Sequence, residues 1–203
     1  MKSQLKQLVL ASGNAGKLRE FQTLLSNVGF EVLPQSHFDI PDAEETGLSF
    51  VENAIIKARH AAKISGLPAL ADDSGIEVDA LNGQPGIYSA RFSGEGATDE
   101  CNNALLLEKL TGIPSQQRTA RYQCVLVFMR HWQDPVPLIA QGSWEGTILD
   151  APRGENGFGY DPLFWVESHN MSSAEMKKEN KNAISHRAKA MQQLLQQLTS
   201  QQS

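Results

Sequence analysis

A run of six apolar residues in the middle of the chain is the feature that most restricts its fold. Residues 120–129 read ARYQCVLVFM and are continuously apolar from Cys124 onward. A strand has this pattern when both faces of its sheet are covered by helices. Helical and strand-like segments alternate along the rest of the 203 residues, with some adjacent hairpins and without a repeat or a linker. We therefore expect a single α/β domain, residues 1–203, with a mixed β-sheet flanked by helices.

A glycine loop follows the first predicted strand. Residues 8–11 (LVLA) predict a short buried strand, residues 12–17 (SGNAGK) a turn, and the apolar residues from Leu18 to Val28 a helix. Free backbone N–H groups and the helix dipole would favour an anion at such a loop, although a plain tight turn has the same pattern. The spacing of the two glycines and Leu18 after the lysine exclude a P-loop. Because the dipole disfavours a cation in the first helical turn, Lys17 suggests a bound anion.

Two acidic pairs flank the second predicted helix. Glu44-Glu45 precedes this helix, which a capping box of Ser49 and Glu52 begins and Gly66 ends. Asp72-Asp73 follows the next apolar run, and we interpret residues 72–75 as a polar break that places the pair at a strand end. Carboxylates of this kind suit Mg²⁺, and one of two neighbouring carboxylates can bind metal while the other orients or deprotonates water. Solvated surface loops are the alternative for either pair taken alone.

Three polar residues recur along the second predicted helix. Asn53, Lys57 and His60 share the face opposite its alanines. A solvated helix face would explain this spacing, but with carboxylates on both sides Lys57 could instead reach a phosphoryl oxygen.

The C-terminal third contains an aromatic turn and a group of cations. Residues 157–162 (GFGYDP) place two aromatic residues between glycines, where a flat base could stack or where the rings could simply cover the core. Ser185 is a candidate N-cap, so His186 and Arg187 would lie on a first helical turn, with Lys181 shortly before them. Phosphate or a base carbonyl would explain cations there, while a structural role explains His186 alone equally well.

The composition of the chain restricts the binding partners and the cellular compartment that we expect for the protein. The 18 Lys and Arg against 23 Asp and Glu give a net charge of −5, which argues against a nucleic-acid partner. No apolar run is long enough for a membrane span, and the N-terminal apolar run is too short for a signal peptide. We expect a cytoplasmic protein without a membrane partner, in which Cys101 and Cys124 are free thiols.

Six motifs in the same order along nearly the whole chain resemble the inosine/xanthosine triphosphate pyrophosphatase family. The motifs are SGNAGK (12–17), EETGLSF with ENA and KA (44–58), ADDSG (71–75), PGIYSAR (85–91), GFGYDP (157–162) and SHR (185–187). Ser12 is the one visible departure, because the family commonly has Thr there, and it retains the hydroxyl.

This resemblance implies a homodimeric, Mg²⁺-dependent enzyme that hydrolyses dITP, ITP and XTP to the monophosphate and pyrophosphate and so removes deaminated purines from the nucleotide pool. It also implies a long central sheet and two lobes with a cleft between them. By position, the catalytic residues would be Asp73, as metal ligand and base, with Asp72 in support and Lys57 on phosphate. Glu44 would also hold the metal, with Glu45 as a further candidate ligand. The substrate-binding residues would be Ser12, Gly13, Asn14, Ala15, Gly16, Lys17, Ser74, Phe158, Gly159, Tyr160, Asp161, Lys181, His186 and Arg187.

Two other functions remain open at this point. A related pyrophosphatase could act on modified pyrimidines or methylated bases, and a nucleotide sensor could bind phosphate through the glycine loop and Lys17 without hydrolysis. Activity measured on a panel of noncanonical triphosphates distinguishes the related pyrophosphatase. Tight nucleotide binding without turnover would identify the sensor.

Overall fold

The computed structural model describes residues 5–200, apart from the side chains of Ala15 and Glu20. The strands are β1 (Lys6–Ala11), β2 (Phe30–Pro34), β3 (Ala69–Val78), β4 (Thr119–Met129), β5 (Leu138–Ile148), β6 (Phe164–Val166) and β7 (Met171–Ser172). The α-helices are α1 (Ala15–Ser26), α2 (Phe50–Ser65), α3 (Asp99–Lys109), α4 (Lys178–Ile184) and α5 (His186–Ser200).

The described strands form one seven-stranded mixed sheet in the order β2-β1-β3-β4-β5-β6-β7. The strand β1 pairs in parallel with both β2 and β3, whereas β6 is antiparallel to β5 and to β7. This open sheet with flanking helices confirms the predicted fold class.

The chain divides into two compact units. Unit 1 contains the residues up to Asp73, Val125–Gln141 and the residues from Ala190 onward. Its core joins the alanine face of α2 to β1, β3 and the apolar end of β4. Ala54, Ala58 and Ala61 are almost completely buried there, since small side chains allow the helix to lie close to the strands.

Unit 2 contains Ser74–Cys124 and Gly142–Lys189. Its buried core is rich in rings and includes Tyr122, Trp144, Tyr160 and Phe164. Tyr122 packs against Phe164 at a ring centroid distance of 4.7 Å. The C-terminal motifs GFGYDP (157–162) and SHR (185–187) belong to the same unit as this aromatic core.

Most of the predicted elements are confirmed. The strand at Leu8–Ala11 lies within β1, the helix that begins after Ser49 is α2, and Gly66 ends it with a φ of 71°. The predicted break at residues 72–75 is wrong, because β3 runs without interruption from Ala69 to Val78. The sequence analysis also missed the edge strands β2 and β7 and the helix α4. The predicted N-cap at Ser185 is confirmed, because its backbone is extended (φ −64°, ψ 161°), its hydroxyl accepts a hydrogen bond from the Ala188 N–H at 3.3 Å, and α5 begins at His186.

None of the described helices combines the length and the apolar character that crossing a membrane requires.

The capping box of α2 gives a stability prediction. The Ser49 hydroxyl accepts a hydrogen bond from the Glu52 N–H and donates one of 2.7 Å to Glu52 Oε2, which also accepts from the Leu48 N–H. We expect Ser49→Ala to lower the free energy of unfolding by about 1 kcal/mol, because the helix loses its N-cap acceptor. Urea denaturation measures this change, and Ser49→Thr, which retains the hydroxyl, is the control. An unchanged midpoint for Ser49→Ala would show that the cap contributes nothing.

Candidate active site

The glycine loop is closed by its own asparagine. Asn14 caps α1, and its Oδ1 accepts hydrogen bonds from the N–H groups of Gly16 (2.8 Å) and Lys17 (3.0 Å). The Ser12 hydroxyl accepts from the Asn14 N–H at 3.2 Å. The prediction that free N–H groups gather here is therefore wrong for Gly16 and Lys17, since asparagine is a strong N-cap residue.

Lys17 has a carboxylate as its partner. Its Nζ lies 2.6 Å from Oδ2 of Asp72, whose side chain is almost fully buried. A cation is disfavoured in the first turn of a helix, and a neighbouring negative charge offsets that cost. Asp72 thus explains the position of Lys17 without a bound ligand.

Lys57 joins two carboxylates. Its Nζ lies 2.7 Å from Oδ1 of Asp73 and 3.0 Å from Oε1 of Glu45. Asp72 and Asp73 are neighbours in β3, and successive side chains of a strand point to opposite faces, so each is reached by a different lysine. We call Lys17, Glu45, Lys57, Asp72 and Asp73 the lysine–carboxylate cluster, and all five belong to unit 1.

The cluster shifts the pKa of both partners of its central ion pair. Burial raises the pKa of Asp73; the charge and hydrogen bond of Lys57 act in the opposite direction, and Glu45 and Asp72 raise it further. Burial disfavours the charged form of Lys57, but Asp73, Asp72 and Glu45 together raise the pKa of Lys57 above its ordinary value. Asp73 is therefore a carboxylate that accepts a proton more readily than a solvated aspartate does, and this is the property of a general base.

The two members of the first acidic pair have different surroundings. Glu45 is half-buried against Lys57, whereas Glu44 is exposed. One carboxylate oxygen of Asp73, Oδ2, is buried and has no hydrogen-bond partner among the described residues. Residues 5–200 contain no group of three or more His, Cys, Asp and Glu side chains placed to hold a metal. Mg²⁺ needs only one or two carboxylates when waters and phosphates complete its shell, so Asp73 and a neighbouring glutamate fit this ion.

A short backbone contact ties the acidic loop to α2. The Gly47 N–H donates to Oδ1 of Asn53 at 2.9 Å, and a Cβ at Gly47 would lie only 2.7 Å from that oxygen. Asn53 is completely buried, and the ring of His60 contacts the Pro41 carbonyl at 3.0 Å. The alternative of a solvated helix face is therefore wrong for this part of α2.

Asp161 is the centre of a second cluster, in unit 2. Its Oδ1 accepts hydrogen bonds from the Tyr122 and Ser173 hydroxyls at 3.3 and 2.9 Å. Its Oδ2 accepts from the Phe158 N–H at 3.0 Å and from the ammonium group of Lys181. Because both oxygens of this buried carboxylate are engaged inside the protein, Asp161 holds other residues in place and has little left to offer a ligand directly.

Two predicted substrate-binding residues, Phe158 and Lys181, contact this carboxylate, and a third, His186, contacts its partner Tyr122. The Phe158 ring is 61% exposed, and the Lys181 ammonium group lies 5.4 Å from its centroid. His186 is buried, and its ring stacks on Tyr122 with a centroid distance of 4.8 Å and an angle of 13°. Arg187 follows it in α5 and is half-buried. The Asp161 cluster therefore presents an exposed aromatic face next to a cation.

Tyr160 and Gly159 are fixed by their surroundings. Tyr160 is buried and donates its O–H to the Ser89 carbonyl at 2.8 Å. The Gly159 N–H donates to Asp99 Oδ2 at 2.6 Å, and its carbonyl accepts from Asn103 Nδ2 at 2.9 Å. Of the two aromatic residues in this turn, only Phe158 has a largely exposed ring.

Ser74, predicted to contact substrate, follows Asp73 in β3 and is half-buried, while Gly13 is exposed and Ala15 is the first residue of α1.

Several supporting residues carried no signal in the sequence. Tyr122 in β4 and Ser173, the residue after β7, contact Asp161, and Asp99 and Asn103 of α3 hold the turn. Each resembles an ordinary strand or helix residue in the sequence, since its role depends on contacts with distant parts of the chain.

Comparison with known proteins gives consistent results. The model of the Ham1 family matches residues 8–197. A dITP/XTP pyrophosphatase of Vibrio cholerae is 56% identical over 98% of this chain and all of that protein, and the Escherichia coli K12 protein of the same name is 54% identical over 96% and 98%.

Solved structures agree. A HAM1 protein from Coxiella burnetii is 52% identical and superposes with a TM-score of 0.93, over 97% of this chain and all of that one. A nucleoside-triphosphatase or dITP/XTP pyrophosphatase from Mycobacterium abscessus is 40% identical, with a TM-score of 0.78 over 95% and 99%. Since both the family model and these relatives cover nearly the whole sequence, the chain belongs to the Ham1 family.

Proposed function

We propose that this protein hydrolyses the noncanonical purine nucleoside triphosphates dITP, ITP and XTP to the monophosphate and pyrophosphate, with Mg²⁺ as cofactor. The observation that carries the proposal is the ion pair of Lys57 and Asp73 within the lysine–carboxylate cluster. Relatives more than 50% identical over nearly the full chain are named dITP/XTP pyrophosphatases, which supports the choice of substrate. That the enzyme is cytoplasmic remains a prediction from the sequence, and that it is a homodimer remains a prediction from the family resemblance.

Asp73 is the proposed base. Its carboxylate takes the proton of the attacking water as the water oxygen bonds to the α-phosphorus, and the bond from that phosphorus to the bridging oxygen breaks, so that pyrophosphate leaves. The raised pKa of Asp73 favours this proton transfer. No residue has to form a covalent intermediate, because phosphoryl transfer requires mainly positioning and neutralisation of charge.

Lys17 and Lys57 are proposed to neutralise the phosphates. Both ammonium groups are paired with carboxylates in the structure, so a polyphosphate would compete with Asp72 and Asp73 for them. When phosphate replaces a carboxylate as its partner, each lysine stays charged. Asp73 then has less positive charge nearby, so it accepts a proton more readily.

The proposed metal ligands are Asp73 and Glu44. Oδ2 of Asp73 is buried without a hydrogen-bond partner among residues 5–200, and Glu44 is the exposed member of its pair. Glu45 is already paired with Lys57, which makes it the weaker candidate. When bound, Mg²⁺ would supply charge neutralisation on the phosphates and on the leaving pyrophosphate.

Recognition of the base is proposed to lie with Phe158, Lys181, His186 and Arg187. A flat purine can stack on the exposed Phe158 ring. A donor directed at the O6 atom would reject adenine, whose 6-amino group is itself a donor, at a cost of a few kcal/mol. The N–H groups of Phe158 and Gly159 are engaged by Asp161 and Asp99, so neither of these two backbone groups is available as that donor.

One assay tests the proposed function against the alternatives. Pyrophosphate release is measured from ATP, GTP, dITP and XTP with and without Mg²⁺. We expect rapid, Mg²⁺-dependent release from dITP and XTP only. Orthophosphate as the first product, or tight nucleotide binding without turnover, would contradict the proposal, and a preference for modified pyrimidines would favour the related enzyme.

Replacing the proposed base should abolish turnover. Asp73→Asn removes the proton acceptor while nearly preserving size, so we expect kcat to fall by at least about a hundredfold with the fold retained. Steady-state kinetics and circular dichroism measure the two properties. The matched control is Asp79→Asn, because Asp79 is exposed and paired with Arg121. Full activity of Asp73→Asn would exclude Asp73 as the base.

Substitutions of the two glutamates of the acidic pair should have different effects on metal binding and stability. We expect Glu44→Gln to raise the Mg²⁺ concentration for half-maximal activity about tenfold without changing the melting temperature, since Glu44 is a proposed ligand outside the ion pairs. Glu45→Gln should instead lower the melting temperature, because Lys57 loses one of its two carboxylates. Binding of Mn²⁺ to the nucleotide-free variants, followed by electron paramagnetic resonance, measures metal affinity apart from activity. The reverse assignment of the two effects would identify Glu45 as the ligand.

The pKa of Asp73 sets an expected pH dependence. A base must be ionised, so kcat/KM should fall as pH decreases through a pKa that is raised above that of an ordinary aspartate. Lys57→Met removes the cation that lowers this pKa, so the acidic limb of its residual activity should move to higher pH. A pH profile of kcat/KM for both proteins measures the limb. A limb that moves to lower pH in Lys57→Met would contradict this electrostatic description.

A further inference from the structure

The buried tyrosine of β4 contacts two different parts of the proposed base-recognition region. Tyr122 is 8% exposed and lies in the aromatic core of unit 2. Its O–H reaches Asp161 Oδ1 at 3.3 Å, and its ring stacks on His186 at 4.8 Å. No motif includes Tyr122, and the proposed mechanism does not use it.

The first contact leads to Phe158 and Lys181. Asp161 binds the Tyr122 and Ser173 hydroxyls through one oxygen, and the Phe158 N–H and the Lys181 ammonium group through the other. The orientation of this carboxylate therefore affects the position of the Phe158 backbone and of the Lys181 ammonium group. A rotation of Asp161 that follows the loss of a donor on Oδ1 would move both partners on Oδ2.

The second contact leads to His186 and, through the backbone of α5, to Arg187. The two rings are nearly parallel, at 13°, which fixes the plane of the imidazole. His186 is the first residue of α5, so a change in its position moves the start of that helix. Tyr122 thus contacts Asp161, which binds Phe158 and Lys181, and also His186, which precedes Arg187 in α5.

The donor role of Tyr122 does not depend on pH in the range in which the enzyme would work. Burial, reinforced by the negative charge of Asp161, holds the pKa of Tyr122 well above its ordinary value. The phenol therefore keeps its proton and can only donate to the carboxylate.

We propose that Tyr122 is a positioning residue for purine recognition, which acts by hydrogen bonding to Asp161 and by stacking on His186. This inference rests on the proposed function, since it assigns to Tyr122 the arrangement of the residues that would hold the base. A core residue that only fills space is the competing explanation.

The test begins with Tyr122→Phe, which removes the hydroxyl and retains the ring. We expect a KM for dITP raised about threefold to tenfold, the range that corresponds to one lost hydrogen bond, with kcat nearly unchanged. The ratio of kcat/KM for dITP to that for GTP should fall, because the position of Phe158 and Lys181 is less well defined. A residue with only a packing role would affect neither KM nor this ratio, since the core keeps its ring.

Two further variants separate positioning from stability. Phe164→Leu removes a core ring that packs against Tyr122 and Trp144 and has no side-chain hydrogen-bonding group, so it should lower the melting temperature while leaving KM and the substrate ratio unchanged. Tyr122→Leu removes both contacts, so it should raise KM more than Tyr122→Phe does. It should also raise KM more than Phe164→Leu does when the two variants lose the same amount of melting temperature.

A double variant tests the route through Asp161. Ser173→Ala removes the other donor to Oδ1. If both hydroxyls act on this oxygen, the increase in KM of Tyr122→Phe with Ser173→Ala should exceed the product of the single increases, since only the double variant leaves Oδ1 without either donor.

The outcomes distinguish this inference from the proposed function. A wild-type protein that releases no pyrophosphate from dITP overturns the proposed function, and this inference with it. An active wild type together with a Tyr122→Phe variant of unchanged KM and substrate ratio overturns the inference alone. Equal effects on KM of Tyr122→Leu and Phe164→Leu would do the same.

Discussion

The structure depends on placing two carboxylates inside a strand without leaving their charge uncompensated. Asp72 and Asp73 are 2% and 8% exposed within β3, and an ionised carboxylate is costly to bury unless it is paired. Lys17 and Lys57 supply the pairs, one from the first turn of α1 and one from the middle of α2. Because of these contacts, the polar residues 72–75 continue as part of β3. The positions of α1 and α2 depend in turn on the carboxylates that their lysines neutralise.

The same pairing is incomplete for Asp73. Its Oδ2 has no hydrogen-bond partner among the described residues, and the charges of Glu45 and Asp72 add to the cost of burial. A protein selected for stability alone would gain by replacing such a group, and perturbed carboxylates of this kind are concentrated at functional sites. This is a physical argument for the proposed catalytic role of the cluster, and it does not depend on the family to which the chain belongs.

Local patterns predicted most of the fold, and they failed where contacts with distant residues decide. The capping box at Ser49 and the apolar run at Cys124 contain their own explanation, so α2 and β4 were predictable. The break at residues 72–75 was wrong, because the lysines that neutralise this segment come from α1 and α2. Similarly, no local pattern shows that Asn14 occupies the amides of its own loop, or that Tyr122 contacts a carboxylate 39 positions further along the chain.

The two buried aspartates show how surroundings give one residue type two roles. Asp161 receives hydrogen bonds on both oxygens from Tyr122, Ser173, Phe158 and Lys181, so it is saturated and can only hold its partners in place. Asp73 is paired with Lys57 on one oxygen and has the other available for a proton or a metal. Asp73 lies in the motif ADDSG and Asp161 in the motif GFGYDP, and neither motif shows how many donors its carboxylate meets in the fold. The number of donors around each carboxylate, which only the folded structure reveals, supports the proposal that Asp73 takes part in the chemistry and that Asp161 positions its neighbours.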